Sequence, residues 1–228
     1  MVWVKRVLLC WVVFLLPLVI LAGAVNLIVR MPDFYQFEFN RTETPKTINL
    51  NVKNDDFADF FSDFMWGKKK EFELLVANDA TDQEESVFPP EEQAAMERFR
   101  TILNLVSMAG AVALLPAAAA YYLWIRDGGK EQLRRAFLAS VALLVVYAGF
   151  CVFGLLSPGP SEFLKDVFMG GSFSEDGLLY YVFTKKFVLH GAAAAGAVTA
   201  IIYLVVGMAT WSVTRPYRMF GRDRRTRH

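Results

Sequence analysis

VLLCWVVFLLPLVILAGAVNLIV, residues 7–29, decides the class of this chain. As a helix rising 1.5 Å per residue it is long enough to cross a hydrocarbon core of about 30 Å, which takes about 20 residues. A secretory signal has a shorter apolar centre of about 7–15 residues, followed by a small-residue cleavage site. This run is longer and no such site clearly follows it, so it reads as an uncleaved helix. Pro17 introduces a kink that membrane helices tolerate.

Three further blocks have the same character: 102–125, 136–156 and 187–211. The second ends in Tyr121, Tyr122 and Trp124, the composition of an interfacial aromatic belt. The fourth carries Gly191, Gly196 and the alanines between them, a small-residue face suited to close helix packing in lipid. The apolar share of 55% and mean hydropathy of +0.33 therefore come from blocks, not from an even background. The expected fold is an α-helical membrane protein with four transmembrane helices and a small α+β extracytoplasmic domain inserted between helices 1 and 2. The boundaries are 1–30, 100–126, 136–157 and 187–212 for the spans and 31–99 for the domain. A cytoplasmic loop covers 127–135, an extracytoplasmic loop 158–186 and a basic cytoplasmic tail 213–228.

Net charge is +1, and its distribution says more than its sum. With the N-terminus inside, the inner segments hold twelve basic residues against three acids, while the outer segments hold the other twelve basic residues and 20 of 23 acids. Basic short connections mark the cytoplasmic side, so both termini are expected inside the cytoplasmic membrane. The Arg-rich tail reads as a topology determinant touching anionic lipid rather than as a nucleic-acid arm.

Cys10 and Cys151 both lie in apolar blocks, so the inserted segment folds without disulfides. The only histidines are His190 and His228, which argues against a multi-histidine metal site. The spans are nearly free of charge, which argues against a transport pathway. No Gly-rich phosphate loop or nucleophile elbow appears.

Within 31–99, Phe34, Phe37 and Phe39 partly alternate with polar residues and read as a half-buried strand; Ile48, Leu50 and Val52 alternate cleanly and read as a second. Asn54 is the expected cap of a helix whose Phe57, Phe60, Phe61, Phe64 and Met65 recur at helical spacing, with Gly67 ending it. The aromatic stripe has two readings, ordinary core or acyl-chain groove. Lys68, Lys69 and Lys70 likewise read as a solvated flank or as ligands for lipid phosphate. A third strand is expected over 71–76, then an acidic turn over 78–86. Pro89-Pro90 opens a helix with Glu91 and Glu92 in its first turn, running on into the second span. In the second outer connection, Phe163, Val167 and Phe168 are placed on an interfacial helix, and a further apolar-aromatic run covers 178–183.

The segment Asp33-Phe34-Tyr35-Gln36-Phe37-Glu38-Phe39-Asn40 follows the first span, Trp66-Gly67-Lys68-Lys69 ends the amphipathic helix, and Glu92 to Arg100 leads into the second span. Asp176-Gly177-Leu178-Leu179 stands in the loop before the last. In order and spacing, over almost the whole chain, these segments resemble the four-helix bacterial membrane family that includes Lit, the lipoprotein intramolecular transacylase. That resemblance implies acyl transfer at the outer membrane surface. One acyl chain of a lipoprotein's diacylglyceryl-cysteine moves to the cysteine's free amine, with no cofactor, and the partners are membrane lipids and lipoproteins, not nucleic acid. It also implies two histidines associated with this work, and here Ala95 and Leu164 occupy their positions. Neither moves a proton.

The candidates for acid–base work are therefore His190, in the fourth helix near its outer end, and the carboxylates Glu92 and Asp176. Asn40, Arg41 and Lys185 are the candidate headgroup ligands. The bland alternatives are a helix–helix hydrogen bond for His190, helix-start or loop carboxylates for Glu92 and Asp176, and a turn closed by Asn40 and Arg41. Two functions follow: a Lit-like acyltransferase, or a non-catalytic scaffold whose outer domain holds a partner such as another membrane protein. A cavity under the domain lined by His190, Glu92 or Asp176 favours the first, and a solid packed interface there favours the second.

Overall fold

The computed structural model describes residues 2–48, 50, 52–78, 83–157 and 177–215. Four long helices carry the apolar blocks: α1 (Val2–Arg30), α5 (Pro90–Arg126), α6 (Lys130–Leu156) and α8 (Lys185–Thr214). Each is long and apolar enough to cross a membrane. Between α1 and α5 lie α2 (Pro32–Thr42), α3 (Thr44–Thr47), α4 (Asn54–Trp66), β1 (Leu75–Asn78) and β2 (Gln83–Ser86). A single-turn helix, α7 (Leu178–Val182), precedes α8.

α1 packs against all three other long helices. Their shared core is Val12, Leu16 and Ile20 of α1 with Ala117, Ala120, Ala136, Phe137 and Tyr203. A Cβ on Gly207 would meet the Phe137 ring at 3.2 Å, so the absent side chain is what lets that ring lie against α8. Polar groups join the helices at a few points: Asn26 donates to the Leu103 carbonyl at 2.8 Å, and the Tyr121 and Thr210 hydroxyls meet at 3.0 Å. Lys5 pairs with Asp127 and lies over the Trp124 ring at the opposite end of the bundle from the inserted domain.

With 37 residues α5 is about 55 Å long, well beyond a hydrocarbon core. Its apolar stretch starts near Ile102. The turns up to and just past that point form a wall of the inserted domain, where Met96 and Leu103 join Phe57, Phe60, Phe61, Phe64, Phe72 and Phe88 in one buried cluster. The aromatic stripe of α4 is thus packed core. Lys68 pairs with Asp63, Lys69 lies over the Phe60 ring, and Arg100 lies 4.1 Å from the Phe64 ring while donating to the carbonyls of Lys69 and Lys70. Gly67 ends α4 in the left-handed region at φ 79°, as its position predicted.

Several local expectations need correction. Residues 34–39 form helix α2, not a strand. Its buried residues are Tyr35, Glu38 and Phe39, a three- and four-residue spacing, while Phe37 is 60% exposed. Pro32 at the first helical positions and Asp33 in the first turn favour that helix. Ile48, Leu50 and Val52 pack against the core without a strand partner. The chain there turns through α3, with Leu50 donating to the Pro45 carbonyl at 2.8 Å. Lys53, not Asn54, stands at the N-cap position of α4, without a side-chain capping bond, and the Asn54 side chain donates to Asn40 instead. The expected acidic turn contains a strand: β1 and β2 form an antiparallel hairpin with Leu75 opposite Ser86. The β content described is this one hairpin, so the insert is mainly helical. Phe163, Val167, Phe168 and the Arg-rich tail lie outside the described residues.

Candidate functional site

His190 stands in the second turn of α8, whose start is fixed by Thr184, the cap residue accepting from the Phe187 N–H at 3.2 Å. Beside it, Gly191 lets α2 come close: a Cβ there would lie 3.3 Å from the Phe34 ring. Phe34, Tyr35 and Phe39 of α2 pack on Phe187, the Phe34–Phe187 ring centres being 5.1 Å apart. Tyr35 is locked further by donating to the Val29 carbonyl at 2.7 Å, and burial pushes its phenol above the ordinary range.

That packing brings Glu38 and Arg41, one turn apart on α2, onto the imidazole. Glu38 Oε1 lies 2.8 Å from His190 Nδ1, and Arg41 Nη1 lies 3.1 Å from Nε2. Arg41 Nη1 also lies 3.5 Å from Nδ1, so the guanidinium sits against the ring edge that carries both nitrogens. Glu38 is 1% exposed, and the contact is close but bent: neither carboxylate oxygen has an aligned hydrogen bond. A buried carboxylate so poorly satisfied costs folding free energy, which marks the position as a candidate for a role beyond packing. The chemistry available is that of a carboxylate–imidazole base with a cation at the reactive nitrogen.

Glu92 belongs to a different set of contacts. It lies in the first turn of α5, before the apolar stretch, and is 5% exposed. Its Oε1 accepts from the Leu179 N–H at 3.2 Å, and its Oε2 has no partner. Desolvation raises its carboxyl above the ordinary range, opposed by the N–H groups of Leu179 and Leu178. No hydrogen bond or ion pair joins it to His190 among the described residues.

The structure thus brings Arg41 to His190 and keeps Glu92 apart. Asn40 is exposed and accepts from Asn54 at 2.9 Å, tying α2 to α4. Lys185 is exposed at the first position of α8. Asp176 and Leu164 lie outside the described residues, and Ala95 is buried. Sequence reasoning missed Glu38. The signal was its helical spacing from Tyr35 and Arg41, hidden by reading 34–39 with a period of two. The described residues contain no group of three or more His, Cys, Asp and Glu side chains able to hold a metal ion. The surface recess lined by Pro32, Asp59, Ser62, Asp63, Trp66 and Lys68 does not include His190.

The sequence matches no family model and no curated protein. Among solved structures, the fold is similar to that of the membrane-integral lipoprotein intramolecular transacylase Lit from Bacillus cereus, in a form carrying a histidine-to-arginine mutation. The TM-score is 0.69 over 92% of this chain and 91% of that one, at 10% identity. At that identity the likeness establishes a shared fold: this chain is a multi-pass membrane protein built like Lit.

Proposed function

We propose that this Lit-like membrane protein acts on lipoproteins or lipids at the outer face of the cytoplasmic membrane, with both termini inside. The reaction is acyl transfer from a diacylglyceryl group to an N-terminal cysteine amine. The observation that carries the reading is the buried Glu38 carboxylate against His190 Nδ1 with Arg41 at Nε2. Arg41 is exposed and moves aside to free Nε2. The imidazole then takes a proton from the attacking amine, and the amine nitrogen bonds to the ester carbonyl carbon. The Arg41 guanidinium faces the oxyanion, and Glu38 stabilises the imidazolium. Collapse breaks the ester C–O bond, and the departing glyceryl oxygen takes the proton back. An amide has replaced an ester, with no net proton change. Asn40, Lys185 and Asp176 remain candidates for headgroup and substrate contacts.

A scaffold without catalysis is the second reading. It is favoured by the tight aromatic packing of Phe34, Tyr35, Phe39, Phe61, Phe183 and Phe187 between domain and α8. The absence of histidine at Ala95 and Leu164 points the same way. Mass spectrometry of lipoprotein N-terminal peptides separates the two, in a Gram-positive host that leaves the cysteine amine free. Transacylation predicts an amine that gains an acyl chain while the glyceryl group loses one. His190→Ala and Glu38→Gln then lower that product by about 100-fold or more, the usual scale of a positioned base. Unchanged peptides beside well-expressed protein leave the scaffold reading.

A further inference from the structure

Glu92 is a buried carboxylate that the proposed reaction does not use, and its geometry gives it a different task. It reaches from α5 to the start of α7, where Leu179 donates to Oε1 across 87 residues of chain. The first N–H groups of any helix lack intrahelical partners, and buried ones need an acceptor from elsewhere. Leu179 is buried, so Glu92 supplies what water does not.

What α7 does next connects this bond to the site. Phe183 closes α7 by donating to the Leu179 carbonyl at 2.8 Å, and the next residue, Thr184, already caps α8. No slack chain separates the two helices. Phe183 packs on Phe61 of α4 and on Phe187 of α8, and Phe187 is in turn packed on Phe34, Tyr35 and Phe39 beside His190. Apolar burial of Leu179 and Val182 holds α7 against the domain but is non-directional. The Glu92 acceptor gives α7 a directional contact with the domain.

We infer that Glu92 is a positioning residue: it clasps the start of α7, and thereby sets the seat of α8's first turns, so that His190 meets Glu38 and Arg41. The inference rests on the proposed role of His190, but its clasp is testable without any activity.

The test uses full-length protein in lipid nanodiscs, with Glu92→Gln and Glu92→Ala compared to the unsubstituted chain. Gln keeps an acceptor oxygen for Leu179 and cannot move a proton as a carboxylate does. Hydrogen exchange at the Leu179 amide is expected to quicken about tenfold or more in Glu92→Ala and to stay near the original in Glu92→Gln. With two histidines in the chain, ¹⁵N-histidine NMR reads His190 almost in isolation. Its ring ¹⁵N signals are expected to shift or broaden in the Ala variant and to stay near the original in the Gln variant. Lyso-lipoprotein formation, where present, follows the same order: retained in Gln, reduced in Ala. If Glu92→Ala does not fold, Glu92→Met provides the same loss of acceptor with more of the volume filled. Unchanged Leu179 exchange or an unchanged His190 signal in the acceptor-less variant overturns the inference. So does a Glu92→Gln protein as inactive as His190→Ala, since Glu92 then carries the proton. Should the clasp hold while no variant changes lipoprotein peptides, the positioning stands and the acyl-transfer reading fails.

Discussion

The inserted domain and the helix bundle solve the same packing problem with different materials. In the domain, seven phenylalanines of one buried cluster are at most 2% exposed, and pairs of their rings meet edge-on or tilted at centroid distances near 5 Å. In the bundle, only 11–28% of the residues in the four apolar windows are buried, and the contacts are made by Val, Ala, Leu and a few rings. Outside lipid, burial of apolar area drives folding. Within it, surface left facing the hydrocarbon costs nothing, so close approach and a few polar bonds decide which helices touch.

The largest expected effect tests the domain side of that contrast. Phe61→Ala empties the middle of the aromatic cluster and is expected to destabilise the domain by about 3–5 kcal/mol, whereas Phe150→Ala, on the outer surface of α6, changes stability by less than about 0.5 kcal/mol. Thermal unfolding in a fixed detergent measures both, and equal shifts break the comparison. Next comes Gly207→Leu. Its Cβ already meets Phe137 at 3.2 Å, so overpacking is expected to cost about 1–3 kcal/mol and to part α8 from α6, read by the steric-trap unfolding of two tags.

Asn26→Leu is a smaller test of the polar bonds in the bundle. It removes the donor to Leu103 and is expected to cost about 0.6 kcal/mol and no more than about 1.7 kcal/mol in the same assay. A larger loss would mean that polar bonds, not small residues, hold the bundle.

The finest test is pH, where the two ends of the molecule have opposite signs. Desolvation holds Glu92 above its ordinary range, so the folded chain keeps a proton the unfolded chain has released. Stability therefore falls as pH rises through that window, and Glu92→Gln removes the fall. Asp127 is held below its ordinary range by Lys5 and Arg126. Its contribution, present above the ordinary value, is lost as pH drops through the lowered one, and Asp127→Asn removes that loss. Denaturation midpoints across pH 3–8 check the sign of both slopes.

The elements that carry strong local signals were legible. Pro90 opening α5, the phenylalanine spacing of α4 and Gly67 at its end each act within a turn of chain. Tyr35 to Phe39 were not, because a short segment with apolar residues at 34, 35, 37 and 39 satisfies a period of two almost as well as one of 3.6. What tips it is the surface α2 covers, the rings of Phe61 and Phe187, which no window of sequence contains. Glu38 was lost with that period, and Arg41 was placed as a headgroup ligand without its partner.

The sequence by itself determined the four apolar helices. In lipid a spanning backbone satisfies its hydrogen bonds within its own segment, so twenty apolar residues are a sufficient instruction. Only the tertiary structure decided the site. Arg41 and His190 are 149 residues apart, and they meet because Gly191 admits Phe34 and because α7 leaves α8 no slack. Such meetings depend on how helix faces fit in three dimensions, and the fit of two surfaces is not written in either one alone.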